Sequence, residues 1–373
     1  MVLALIKRFT KSISLVTFLI AIAFGICAIL LITFNDGSLT DYPGISITDT
    51  DHIKFILSFT IGGLFTLTVF TYTMVMNVLN RSISNYSPRL IPLILHERHH
   101  QIILGTTSGT IIYCLILAIF VSSEANENFP PMAGGLAIVF GIFCVLLFIY
   151  FIHAVSQSIH VNYILRKSFN NTKRVIRNLM EMEEMLQMDV SSANEWPYSL
   201  SFGECGYLNA IRLDQLLKIS ASNDIVFSLI KPMGSFILEG EPILKMSRKP
   251  DAKLNDKIKR CLAVDREEPI DVLEIGFKHL VEVAVKAASP AINDPGTSLI
   301  AIDYLTQLFI LRHRIPVFNK VTSKKGGALY FELVEMPKLM DYVFREMETY
   351  MNDDPILTER LNNAKQTVSK LKM

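Results

Sequence analysis

Four apolar runs fill most of the first 160 residues, near 12–34, 54–79, 102–122 and 132–154. Each is long enough to cross a bilayer as a helix, which takes ~20 residues. The first, "SISLVTFLIAIAFGICAILLITF", follows Lys7, Arg8 and Lys11, like the basic start of a signal peptide. Its apolar run exceeds the roughly 7–15 residues of a signal core, and no small-x-small cleavage pattern clearly follows, so it reads as a retained helix.

Loop charges give the orientation. Loop 35–53 carries Asp36, Asp41, Asp49 and Asp51 and no Lys or Arg; loop 123–131 carries Glu124 and Glu127 and no basic residue. Loop 81–101 carries Arg81, Arg89 and Arg98, and Arg166, Lys167, Lys173, Arg174 and Arg177 follow the fourth run. The basic segments all fall on one side. The expectation is a multi-pass protein of the inner (plasma) membrane, with both termini and the C-terminal domain cytoplasmic. The domain plan is 1–160 as a four-helix transmembrane domain, 161–190 as a helical extension, and 191–373 as a cytoplasmic α+β domain.

Composition narrows the function. The net charge of +1 gives no argument for nucleic acid or another polyanion. The five cysteines form no C-x-x-C, so neither a disulfide framework nor a zinc site is suggested. No Asp, Glu, Lys or Arg sits in the centre of a span, which disfavours an ion-coupled pump. No Walker loop, G-x-G-x-x-G or clear nucleophile system points to an enzyme, and no cofactor is implied.

The second span is rich in hydroxyls. Thr66, Thr73, Asn77 and Asn80, at spacings of seven, four and three, share one helix face. Two readings stand: these groups bond back to their own helix or to a neighbour, or they line a water-filled path between copies of the chain. Gly105 and Gly109 form a G-x-x-x-G in the third span, which supports close helix packing within the chain or between chains.

Two histidine groups have metal-compatible spacing: His96, His99 and His100 in "HERHH", and His153 and His160 in "HAVSQSIH". Neither has a clear acidic or thiolate partner on its face, so interfacial histidines are the plainer account and no metal is assigned.

The segment 162–190 is helical in pattern, with charges that read as a solvated face, and 191–206 reads as a linker. Strands are expected at 206–211 and within "DIVFSLI" and "SFILEGEPILKM", a helix at 214–222, and another helix at 252–263. The strand-turn pattern resembles the barrel-sandwich halves of lipoyl and biotinyl carriers, a small barrel-like β unit. It lacks their modified hairpin lysine, so the likeness is architectural only. A hairpin about 324–327 and closing helices complete the chain.

The stretch "KAASPAINDPGTSLIAIDYL" joins two helices. Ser289-Pro290 ends the first, and Asp294-Pro295 starts the second with a capping Asp and a first-turn Pro. Asn293 is left without a role in the cap; its amide is free to tie the corner to the strands or reach a ligand. Together with "GYLNAIRLDQLL" and "IYFIHAVSQSIHVNYIL", the corner resembles an uncharacterised bacterial family of predicted membrane proteins, a domain of unknown function. That family's corner reads close to A-x-S-P-x-I-N-D-P-x-T-A. Ser289, Pro290, Ile292, Asn293, Asp294, Pro295 and Thr297 match it, and Ser298 stands where alanine is usual. The resemblance implies four membrane helices and a cytoplasmic domain, and brings no substrate, reaction or site residue.

Two function classes follow: a homo-oligomeric pore or channel-like protein gated or assembled by its cytoplasmic domain, or a membrane-anchored sensor or scaffold binding a cytoplasmic ligand or protein. The partners expected are the lipid bilayer and further copies of the chain.

Overall fold

A computed structural model describes residues 13–34, 49–85, 98–122, 131–158, 161–189, 196–269 and 271–371. The chain divides into two compact units, Met1–Ser84 with Ile91–His160, and Asn85–Leu90 with Val161–Met373.

The first unit holds four long helices: α1 (Ile13–Thr33), α2 (Thr50–Asn85), α3 (Arg98–Ser122) and α4 (Pro131–Ser158). Each contains a stretch long and apolar enough to cross a bilayer: Leu15–Thr33, Asp51–Val78, Gln101–Ser122 and Met132–Ser156. Of these, α3 is central: 56% of its apolar stretch is buried, against 11–22% for the other three. It lies closest to α1. A Cβ added to Gly105 would come within 3.2 Å of the Thr17 Cα, and one added to Gly109 within 2.9 Å of the Phe24 ring. The G-x-x-x-G therefore has its partner in the same chain, and it no longer argues for contact between copies. Across the same seam the Thr17 hydroxyl donates to the Gln101 carbonyl, 3.2 Å away. Next to it α4 is tied to α3 by the buried Tyr113 hydroxyl, which donates to the Ala133 carbonyl at 2.9 Å.

Helix α2 is attached differently. Side chains hold it: Ile53 and Leu57 join the Tyr113–Leu117–Ala137 cluster, Leu64 meets Ile111 and Cys144, and Val78 meets Ile103, Phe151 and Val155. Phe70 packs edge-on against Phe148 with centroids 5.8 Å apart. None of the other three helices approaches its backbone as closely as α1 approaches α3, among the described residues.

The second unit combines helices with two sheets. It begins with α5 (Val161–Glu181), then β1 (Leu186–Gln187), β2 (Tyr198–Ser201), β3 (Gly206–Ile211), α6 (Leu213–Asn223), β4 (Phe227–Leu229), β5 (Phe236–Ile237) and β6 (Pro242–Met246). It continues with α7 (Ala252–Lys259), β7 (Leu262–Asp265), α8 (Leu273–Ala288), α9 (Pro295–His313), β8 (Lys320–Thr322), β9 (Ala328–Tyr330), α10 (Met336–Met351) and α11 (Pro355–Ser369).

The strands form a six-stranded sheet in the order β1-β8-β9-β4-β6-β2 and a three-stranded sheet in the order β5-β3-β7. The β region is thus two open sheets and not a closed barrel. The reason lies in pairing partners distant in sequence. β4 takes β9 as a parallel neighbour, Phe227 opposite Leu329, while β3 pairs with β5 and β7 in the second sheet. The expected turns are present, with Gly234 at φ 82° and Gly240 at φ 75°, conformations that favour glycine.

Three local expectations need correcting. The helix expected over 252–263 stops at Lys259, and Leu262–Asp265 runs as β7 along β3. The supposed linker contains β2, which pairs antiparallel with β6, Leu200 opposite Leu244. The end of the supposed 162–190 helix is β1, pairing Leu186 with Val321. In each case a distant strand supplies hydrogen bonds that local pattern does not reveal.

The helical core of this unit is α5, α8, α9, α10 and α11. Its inner residues include Phe277, Phe309 and Phe344, with Phe309 and Phe344 stacked at 5.7 Å. Helix α5 buries Ile164, Leu165, Ser168, Thr172 and Ile176 against it. The stripe narrows to Ser168 and Thr172 where α8 comes close: a Cβ on Gly276 would collide with the Thr172 side chain. Beside that seam Phe169 stacks on Tyr304 at 4.6 Å.

Candidate functional site

The polar stripe of α2 lies on the outside of the first unit. Thr66, Thr73, Asn77 and Asn80 are all exposed, and at ~100° per residue they fall within about 60° of arc. Gly62, on the same stripe, and Gly63 beside it have no neighbouring atom within 4 Å of an added Cβ. Phe55 and Phe59, 69% and 75% exposed, stack at 6.3 Å at its head. The hydroxyls are internally satisfied: Thr66 donates to the Gly62 carbonyl at 3.0 Å and Thr73 to the Val69 carbonyl at 2.9 Å. Thr68 and Thr71 do the same one turn back, at 2.7 Å each. Such back-bonding lets a threonine face an apolar medium at little cost. Within one chain, then, the stripe lines no path.

His153 is exposed on α4. His96 and His160 lie outside the described residues, as do the side chains of His99 and His100. No group of three or more metal-binding side chains occurs among the described residues.

The corner at 289–298 is a surface junction between α8 and α9. Asp294 Oδ1 accepts from the Thr297 N–H at 3.1 Å and its Oδ2 from the Thr297 hydroxyl at 2.6 Å. That is the cap anticipated from sequence, with Pro295 in the first turn. The Ser289 hydroxyl donates to the Lys286 carbonyl at 2.6 Å, closing α8. Asn293 sits at φ 49°, in the left-handed region that Asn tolerates far better than most residues. Its N–H donates to the Ser289 carbonyl at 2.8 Å, and the next N–H, of Asp294, reaches the Ala287 carbonyl at 2.9 Å. The reason for an asparagine is therefore a backbone reversal. Pro290, Asn293 and Pro295 are exposed, whereas Ser298 is fully buried and donates to the Ala284 carbonyl at 2.9 Å.

Two polar clusters were not legible from sequence. Asp189 accepts from Lys320 Nζ and from the Tyr330 hydroxyl, both at 2.7 Å, and exchanges two bonds with the Asn319 amide. The Asp189 carboxylate holds the Lys320 ammonium above its ordinary pKa. Trp196 packs edge-on against Tyr330 at 5.6 Å. This clasp fastens the start of the 186–201 segment to the β8–β9 hairpin. Elsewhere, burial pushes the Glu274 carboxyl above the usual carboxylate range; its hydrogen bond from the Val334 N–H and the nearby Arg312 charge act the other way. Burial also lowers Arg312, whose Nε is enclosed with no hydrogen-bond partner among the described residues.

Comparison with known proteins now adds what geometry alone does not. The model of a family described as "Predicted membrane protein (DUF2254)" matches residues 10–367. The chain belongs to that family. Among its relatives are uncharacterised protein Mb1321c of Mycobacterium bovis and uncharacterised protein Rv1290c of Mycobacterium tuberculosis. Each is 24% identical over 374 aligned residues, covering 92% of this chain and 69% of the relative. No solved structure matches. The match takes in all four spans and nearly all of the α+β unit, and the relatives' names carry no activity.

Proposed function

We propose that the protein is the subunit of a homo-oligomeric, channel-like membrane assembly in which the α2 stripe of each copy faces the others, with the α+β unit on the cytoplasmic side as assembly platform and gate. The observation that supports this reading is the outward position of Gly62, Thr66, Thr73, Asn77 and Asn80 on the span whose backbone no other described helix approaches closely. Asn77 makes the strongest case: a primary amide exposed in the last turn of the Asp51–Val78 stretch gains more from a polar or aqueous partner than from lipid. Phe55 and Phe59 would form the apolar end of the same seam.

The test is mass in detergent or nanodiscs, followed by ion flux in proteoliposomes. The expected result is an oligomer whose flux changes on Thr73→Val and Asn77→Leu while its mass is retained. A monomer with no flux under any condition would replace this reading with the membrane-anchored sensor or scaffold.

A further inference from the structure

The basic residues after the fourth span are not scattered around α5. With ~100° per residue, Arg166, Lys167, Lys173, Arg174 and Arg177 fall within about 120° of arc. That arc lies opposite the face made by Ile164, Leu165, Ser168, Thr172 and Ile176, which is buried against α8 and α9. No acidic residue occurs between Glu127 and Glu181. Arg166 and Arg177 are exposed, and Arg174 meets Asp271 at 3.0 Å with both side chains largely in solvent. Lys167 and Lys173 are half-exposed, with their ammonium groups over the rings of Tyr163 and Phe169 at 5.4 and 5.8 Å, so both side chains lie along the helix surface.

The bias of basic residues toward one side of a membrane requires only that they lie near the spans; it does not require them to share a helix face. Here they share one. The chain also limits how far this face can travel. Two residues, 159 and 160, separate the end of α4 from the start of α5. Across that gap an extended chain reaches at most ~11 Å.

We infer that the Arg166–Arg177 face of α5 docks on anionic phospholipid headgroups, with phosphate oxygens as the bound groups. The idea is independent of any pore: it concerns the α+β unit and the lipid surface, and holds for a monomer as for an oligomer. Juxtamembrane clusters of this size gain about 1 kcal/mol per basic residue from an anionic leaflet, with the gain confined to within a Debye length. Docking would fix the first helix of the α+β unit whenever anionic lipid is present and release it when the leaflet is neutral.

The experiment uses the full chain with a fluorophore on Asn170→Cys, an exposed position in the middle of the basic face. Cys205→Ser removes the exposed native thiol. The labelled protein is reconstituted into phosphatidylcholine vesicles, with or without phosphatidylglycerol, that carry a headgroup quencher. Stronger quenching with phosphatidylglycerol is expected. It should be reversed on raising salt from about 0.1 to 1 M, where the Debye length falls from ~10 to ~3 Å. Arg166→Gln and Arg177→Gln should each lower the docked-to-free ratio about fivefold. The salt arm uses the basic face intact, so a variant that misfolds does not remove the test. Equal quenching in both lipids, or quenching indifferent to salt, would overturn the proposal. So would an equal emission change on adding heparin to the phosphatidylcholine sample, which would make the face a general polyanion site.

Discussion

Helix α2 and two seams of the α+β unit use the same hydroxyl chemistry in opposite ways. In α2, Thr66, Thr68, Thr71 and Thr73 all donate to carbonyls of their own helix four residues back. In the α+β unit, buried Ser298 joins α9 to α8 through the Ala284 carbonyl. Ser220 joins α6 to β9, accepting from the Ala328 N–H at 2.8 Å and donating to its carbonyl at 3.3 Å. The contrast follows from the solvent. A helix exposed to hydrocarbon must satisfy its polar groups internally, because the medium offers no partner. A water-soluble core can spend a hydroxyl on holding two elements in register, since water serves it equally well in the unfolded chain. Glycine shows the complementary similarity. Gly105 and Gly109 admit α1 to α3, and Gly276 admits α5 to α8. The first seam has little hydrophobic drive behind it and depends on close packing; the second is backed by apolar burial from water.

The largest effect that would break this comparison is a truncation. A soluble fragment beginning at 161 should melt cooperatively, whereas one beginning at 191 should not. The shorter fragment uncovers the face that Ile164, Leu165 and Ile176 bury. At ~1.5–3 kcal/mol each that is about 5–9 kcal/mol, comparable with the whole stability of a domain. Circular dichroism melts of the two fragments decide it, and equal melting would mean that α5 is an appendage.

A glycine pair gives the next effect. Gly105→Leu should destabilise the full chain in detergent by roughly 1–3 kcal/mol or more, because the Thr17 backbone cannot withdraw as a side-chain tip would. Gly62→Leu meets nothing within its own chain and should leave the melt unchanged. Its effect should appear in the mass of the assembly if α2 faces another copy. A stability loss for Gly62→Leu in an isolated subunit would place the helix wrongly.

The smallest effect separates the hydroxyls. Ser298→Ala should cost ~0.5–1.5 kcal/mol, and Thr73→Val close to nothing in a thermal melt, since only the first links two elements. Equal costs would erase the distinction between the hydroxyls of α2 and those of the α+β seams.

Much of the architecture could be read from sequence because length and hydropathy impose it. The four spans and helices α6, α8 and α9 follow from runs and caps that need no distant partner. What escaped did so for nonlocal reasons. β1, β2 and β7 are short and owe their extended form to strands up to 135 positions away, as the Leu186–Val321 pair shows. Hydropathy gives no sign that the inner seam of α5 runs through Ser168 and Thr172, which are polar yet buried there. At the corner, Asp294 and Pro295 were legible as a cap. Asn293 was not, because the φ of 49° that it supplies leaves no mark on spacing. The α2 stripe was legible as a stripe; whether it faced inward or outward was not, since both arrangements give the same periodicity.

The two edges of the six-stranded sheet, β1 and β2, come from one short stretch of chain, yet β1 must wait for β8. At ~5–20 residues per second of synthesis, the 135 positions between Leu186 and Val321 correspond to a delay on the order of ten seconds. The four apolar helices have been made before that interval starts. The order of manufacture is therefore membrane helices first, then the strands, then α10 and α11, and for those seconds the residues of β1 are without the strand they pair with. The brevity of β1, two residues, keeps that interval safe, because so short an edge offers a neighbouring chain almost no ladder to extend.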